Sequence, residues 1–159
     1  MKRLGFLAEF ISAAVESAEQ RIKRSIHQEK PLIRQKSEYI RYAMEYMQNN
    51  YSSIHVSDVA QYLGIDRSYF STIFKESRGI SPNEYLLQVR MKQSSRMLQD
   101  LDISVQEIGR YVGYEDSLTF SKAFKRFFGV SPKHYRELPE EKRPDVKTIV
   151  AVRKSMEQE

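Results

Sequence analysis

Apolar positions recur with helical spacing along most of the chain. Leu4, Leu7, Ile11, Ala14 and Ala18 step by three and four, the a/d seam of a helix that pairs with another. Ile40, Met44, Met47 and Tyr51 mark a second amphipathic helix. Val59, Tyr62 and Leu63 form a stripe that stops at Gly64, and Phe70, Ile73 and Phe74 form another that stops at Gly79. The order then returns: Ile108, Tyr111 and Val112 before Gly113, and Phe120, Ala123, Phe124 and Phe127 before Gly129. No stretch alternates with the period of a strand, so the pattern predicts an all-α chain of about seven helices.

Polar punctuation places the boundaries. Ser104 and Glu107 have the S-x-x-E spacing of a capping box, and so do Ser81 and Glu84. Ser81-Pro82 and Ser131-Pro132 each read as an N-cap followed by proline at the first helical position. These signals predict helices over 67–77, 82–99 and 117–128.

The recurrence is a duplication. Residues 70–85 read FSTIFKESRGISPNEY and residues 120–135 read FSKAFKRFFGVSPKHY, with eight identities in sixteen positions. Phe70, Phe74, Gly79, Pro82 and Tyr85 match Phe120, Phe124, Gly129, Pro132 and Tyr135. Upstream the offset falls from 50 to 49, pairing Val59-Ala60 with Ile108-Gly109, so the second copy carries one extra residue between Gly113 and Phe120. Each copy is two short helices around a glycine turn, a helix-turn-helix pattern, with 82–99 as the helix linking the copies.

A lone glycine turn is usually a packing hairpin. Two copies with the same outward chemistry favour nucleic-acid binding. On a helical wheel, Ser68, Ser71, Thr72 and Lys75 lie opposite the apolar side of the first copy. Leu118, Ser121, Lys122 and Lys125 lie opposite it in the second, with Arg126 to one side. Short hydroxyl side chains approach base edges closely, and lysines reach bases or phosphates. Leu118 either meets a thymine methyl or lies against the neighbouring helix.

Composition adds exclusions. Zero cysteines remove disulfides and thiolate chemistry, and ten tyrosines and eight phenylalanines argue for a buried core. His27, His55 and His134 lack carboxylate companions at ligand spacing and read as surface or capping residues. No nucleophile elbow, phosphate loop or carboxylate pair is present, so no residue is assigned to catalysis, a cofactor or a metal. The start, Met1-Lys2-Arg3 before an apolar stretch, resembles a signal peptide, but Glu9 interrupts that stretch. No run reaches the roughly 18–20 apolar residues of a membrane span, and a cytoplasmic protein is expected.

The net charge of +5 suggests an anionic partner, but its distribution corrects the inference. Residues 1–36 hold eight Lys/Arg against four Asp/Glu, whereas residues 37–138 hold thirteen against twelve. Placement matters more than the total: Lys122, Lys125, Arg126, Lys133 and Arg136 fall in residues 117–136, which contain no acid.

With these residues in view, the segment 37–137 resembles the DNA-binding domain of the AraC/XylS family of bacterial transcription regulators. The resemblance rests on Asp58-Val59-Ala60, Leu63-Gly64, Tyr69-Phe70-Ser71, Phe74-Lys75, Gly79-Ile80-Ser81-Pro82 and Arg90-Met91. It continues through Ile103-Ser104-Val105, Glu107-Ile108-Gly109, Val112-Gly113-Tyr114, Phe120-Ser121-Lys122, Phe124-Lys125 and Gly129-Val130-Ser131-Pro132-Lys133-His134-Tyr135-Arg136. Ser94 and Gly109 depart from the family's usual alanine. The resemblance implies two helix-turn-helix subdomains whose recognition helices enter successive major-groove segments of double-stranded DNA, roughly 34 Å apart. Carried over residue by residue, base contacts fall on Arg67, Ser68, Ser71 and Thr72, and on Ser117, Leu118, Ser121 and Lys122. Phosphate contacts fall on Lys75, Arg78, Lys125 and Arg126, with backbone N–H groups at the helix starts. Arg90, a family hallmark, is expected in a structural ion pair rather than on DNA. The rival function is a protein-interaction module that touches RNA polymerase without reading DNA.

The flanks stay open. Residues 1–36 are an N-terminal helical extension: the tail of a sensing domain with its linker, a pairing helix that makes a homodimer through residues 4–22, or a helix packed on its own domain. No effector-binding domain is evident. Residues 138–159 read as a polar tail whose apolar patch, Ile149 to Val152, either docks or frays.

Overall fold

The computed structural model describes residues 35–99 and 102–156, so the expected seam over 4–22 lies outside the described residues. The chain divides into two compact units, Met1–Ile40 and Arg41–Glu159. In the first, the described residues 35–40 are helical. The second carries the repeat.

Every regular element among the described residues is helical. Helix α1 covers 35–50. It is followed by α2 (Val56–Leu63), α3 (Arg67–Arg78), α4 (Pro82–Met97), α5 (Val105–Tyr111), α6 (Ser117–Phe128) and α7 (Pro132–Glu137). A 3-10 turn at Glu140–Lys142 leads into α8 (Val146–Met156). The linking helix α4 is two residues shorter than expected, and α8 is a helix where the sequence left docking and fraying open.

The caps explain most boundaries. Ser81 and Ser131 accept hydrogen bonds from Glu84 N and His134 N, both at 3.2 Å, ahead of the prolines that open α4 and α7. The Ser104–Glu107 box closes in both directions, Ser104 N to Glu107 Oε2 at 2.9 Å and Glu107 N to Ser104 Oγ at 3.2 Å. At Ser81 only the serine half forms; the Glu84 carboxylate faces Arg153, 3.6 Å away.

The duplicated residues build a duplicated core. Phe70 and Phe74 meet edge-on at 5.6 Å, and Phe74 meets Tyr85 at 5.5 Å. Phe120, Phe124 and Tyr135 repeat the triad at 5.8 and 5.3 Å. All four phenylalanines are fully buried, each worth roughly 2–3 kcal/mol in transfer from water. Helix α4 serves both halves: Tyr85, Leu86 and Val89 are buried in its first half, and Met91, with Leu98 just past its end, joins the second core. Phe128, which the wheel did not assign inward, is buried there too, whereas Ala123 is only partly buried. Ser94 is fully buried and spends its hydroxyl on Met91 O at 2.9 Å. Gly109 explains its own departure from alanine: a Cβ there would meet Phe120 Cβ and Cγ at 3.1 Å.

Candidate nucleic-acid interface

Helices α3 and α6 are the second helices of the two helix-turn-helix units, and an aspartate starts each. Asp66 Oδ1 accepts from Ser68 N at 2.8 Å and Tyr69 N at 3.0 Å. Asp116 Oδ1 accepts from Thr119 N at 2.8 Å. Hydrogen bonding from the Thr119 side chain, and then from its backbone N–H, holds the Asp116 carboxyl below its ordinary value, with a smaller contribution from Lys122. Ser68 N, Tyr69 N and Thr119 N are thus occupied by carboxylates, whose fixed negative charge works against a phosphate at those N–H groups. The signal was legible: Asp66 and Asp116 keep the repeat offset of 50, just upstream of the matched block.

The outward faces follow from the buried ones. With Phe70, Ile73 and Phe74 inside, Arg67, Ser68, Thr72, Lys75 and Arg78 are exposed and Ser71 is partly exposed. With Phe120, Phe124, Phe127 and Phe128 inside, Lys122, Lys125 and Arg126 are exposed, and Ser117 and Ser121 partly so. Leu118 is 63% exposed, which removes the reading in which it packs on a neighbouring helix. Ser71 Oγ donates to Arg67 O at 2.9 Å and Thr72 Oγ1 donates to Ser68 O at 3.0 Å. Their hydroxyl hydrogens are spent within the helix, so toward an outside partner these oxygens are acceptors.

Arg67 and Arg78 sit in different surroundings. Arg67 borders a cavity of about 190 Å³ shared with His55, Asn83, Arg90 and Tyr114. Arg78 lines a broad groove along α4 with Gln88, Lys92 and Val150.

Arginine clasps escaped sequence reasoning. Arg90 Nε donates to Tyr51 O at 2.9 Å and Nη2 donates to Ile54 O at 3.0 Å. The expected ion pair is therefore replaced by main-chain carbonyls, which cost less to desolvate beside a half-buried guanidinium than a carboxylate would. Arg136 repeats the device, with Nε to Leu98 O at 3.2 Å and Nη2 to Ile103 O at 2.6 Å. Each clasp holds the segment that enters a helix-turn-helix unit.

Two helix-turn-helix units in one compact body, sharing a linking helix and presenting matched hydroxyl and cationic faces, define a double helix-turn-helix module of the DNA-binding class. Residues 59–138 match the model of a family described as a helix-turn-helix domain. The Msm operon regulatory protein of Streptococcus mutans is 49% identical over 86 residues, covering 54% of this chain and 31% of that protein. The C-terminal domain of AraT, a response regulator from Geobacillus stearothermophilus, superposes with a TM-score of 0.61 at 33% identity, covering 64% of this chain and 88% of that one. The DNA-binding domain of AdpA, a global transcriptional factor solved with a target DNA, gives 0.55 at 26% identity, covering 64% and 89%.

The chain belongs to the AraC-type helix-turn-helix family. That family comprises DNA-binding transcription regulators rather than enzymes. The chain spans about a third of the length of the curated relatives it matches. Among the described residues, no helix is long and apolar enough to cross a membrane.

Proposed function

We infer that this chain reads double-stranded DNA as a transcription regulator, with α3 and α6 entering successive major-groove segments on one face of the duplex. The observation that carries this reading is the repetition: two helices, buried through the same phenylalanines, turn small hydroxyls and cations outward. Base contacts are assigned to Arg67, Ser68, Ser71 and Thr72 on α3, and to Ser117, Leu118, Ser121 and Lys122 on α6. As acceptors, Ser71 and Thr72 suit the amino groups of adenine or cytosine, and exposed Leu118 suits a thymine methyl. Lys75, Arg78, Lys125 and Arg126 are assigned to phosphates. Action in the bacterial cytoplasm, at the nucleoid, follows from that partner.

Two further partners belong to the same reading. A second copy pairing through residues 4–22 is supported by the three-and-four seam of Leu4, Leu7, Ile11, Ala14 and Ala18. Contact with RNA polymerase is supported by the family's role in transcription.

Selection of bound sites from randomised duplexes, followed by titration at several salt concentrations, tests the proposal. A site with two recognised segments about one helical turn apart, bound less tightly as salt rises, is expected. Equal retention of all sequences would leave a protein-interaction module as the better reading.

A further inference from the structure

We propose that α8 is a brace that sets the distance between the two recognition helices, with Arg153 as its specificity-determining residue. This rests on the reading of α3 and α6 as paired recognition helices. The guanidinium of Arg153 ties three elements together. Nη2 donates to Arg126 O at 3.1 Å and to Phe127 O at 3.4 Å, two carbonyls left without helical partners in the last turn of α6. Nη1 lies 3.6 Å from Glu84 Oε1 in the first turn of α4. The guanidinium carbon lies 4.9 Å from the centre of the Phe127 ring.

These attachments belong to different halves of the module. Phe127 is in the second core, whereas Glu84 adjoins Tyr85, which closes the aromatic triad of the first. Val146, Ile149 and Val150 seat α8 against the second core, and Tyr135 Oη donates to Pro144 O at 3.1 Å where the chain turns into the helix. The matched family region ends at residue 138, ahead of α8.

A second close approach lies at Gly113, where an added Cβ would collide with the Ser52 carbonyl oxygen and sit 3.1 Å from Arg90 Nη2 of the linking helix. The linking helix is therefore tied to the second unit at Gly113 as well as through Arg153. A duplex demands a set spacing and phase of α3 and α6: one extra base pair turns the second segment by about 34°. A braced module pays for that mismatch in lost contacts, whereas an unbraced one rotates to follow it.

The test uses the full chain and three duplexes: the selected site, and versions with one base pair added or removed between its two segments. The parent is expected to lose about tenfold in affinity on the altered duplexes. Arg153→Ala is expected to lose only about threefold there while keeping its helical content and a cooperative melt. Glu84→Gln, which releases only the α4 end, is expected to fall between them and carries the test if Arg153→Ala does not fold. Spacing preferences equal to the parent's in the folded variants would overturn the brace, even if their overall affinity drops. A parent footprint confined to one segment would instead overturn the two-segment reading, and the brace with it.

Discussion

Arg90 and Tyr114 face each other across the joint between the two helix-turn-helix units, the guanidinium carbon 5.9 Å from the ring centre. Arg90 comes from the linking helix and simultaneously holds the carbonyls of Tyr51 and Ile54 ahead of the first unit. Tyr114 follows the glycine turn of the second. Burial lowers the Arg90 pKa, an effect opposed by its interaction with Tyr114, and burial raises that of the phenol. One side chain thereby couples the entry of one unit to the turn of the other.

Removing it should be costly. Arg90→Ala leaves two main-chain acceptors without their charged donor, one of them on the buried Ile54, and is expected to destabilise the fold by about 2–4 kcal/mol. Arg90→Lys should recover only part of that loss, because an ammonium lacks the fork that reaches both carbonyls. Chemical denaturation of the three proteins checks the order; a lysine variant as stable as the parent would contradict it.

Gly113 should be the most demanding glycine of the repeat. Its φ is +91°, and an added Cβ would collide with the Ser52 carbonyl oxygen and sit 3.1 Å from Arg90 Nη2. Gly129 has φ +80° but nothing within 4 Å of an added Cβ. Gly129→Ala should therefore cost only backbone strain, about 1–2 kcal/mol. Gly113→Ala should cost at least about 3 kcal/mol, since the collision adds to the strain. Melting curves of the two variants separate the contributions.

Acid should loosen the helix caps together. Hydrogen bonds from Ser104, Thr119 and Thr148 hold the carboxyls of Glu107, Asp116 and Asp145 below their ordinary values. A depressed carboxylate contributes stability above its unfolded pKa and loses it as pH falls through the folded one. The melting temperature is expected to decline below about pH 4.5. Asp116→Asn should keep most of its stability at neutral pH, because asparagine caps nearly as well, and should show a shallower acid decline.

The interface assignment separates two lysines on one helix. Lys122→Ala should weaken the selected site about tenfold and relax sequence choice. Lys125→Ala should weaken all duplexes about equally and reduce the salt slope by about one ion. Competition titrations at several salt concentrations read both effects. Variants that bind and discriminate like the parent would show that the wrong face was chosen.

By itself the sequence determined what is local or repeated. The period of the apolar residues, the serine caps, the Ser-Pro starts and the glycine stops act within about one helical turn, so their consequences can be read from spacing. The duplication likewise foretold the paired aromatic triads, since identical residues at a constant offset pack the same way twice. Only the tertiary structure decided the rest. Arg90 finds its carbonyls 36 and 39 residues away, and Arg136 finds its own at 33 and 38. Neighbouring residues give no hint of such partners, because a guanidinium clasps whatever carbonyls the packed helices bring near it. The tail was undecided for the same reason: four apolar residues form a marginal helix alone, and α8 is stable once the second core and Arg153 receive it.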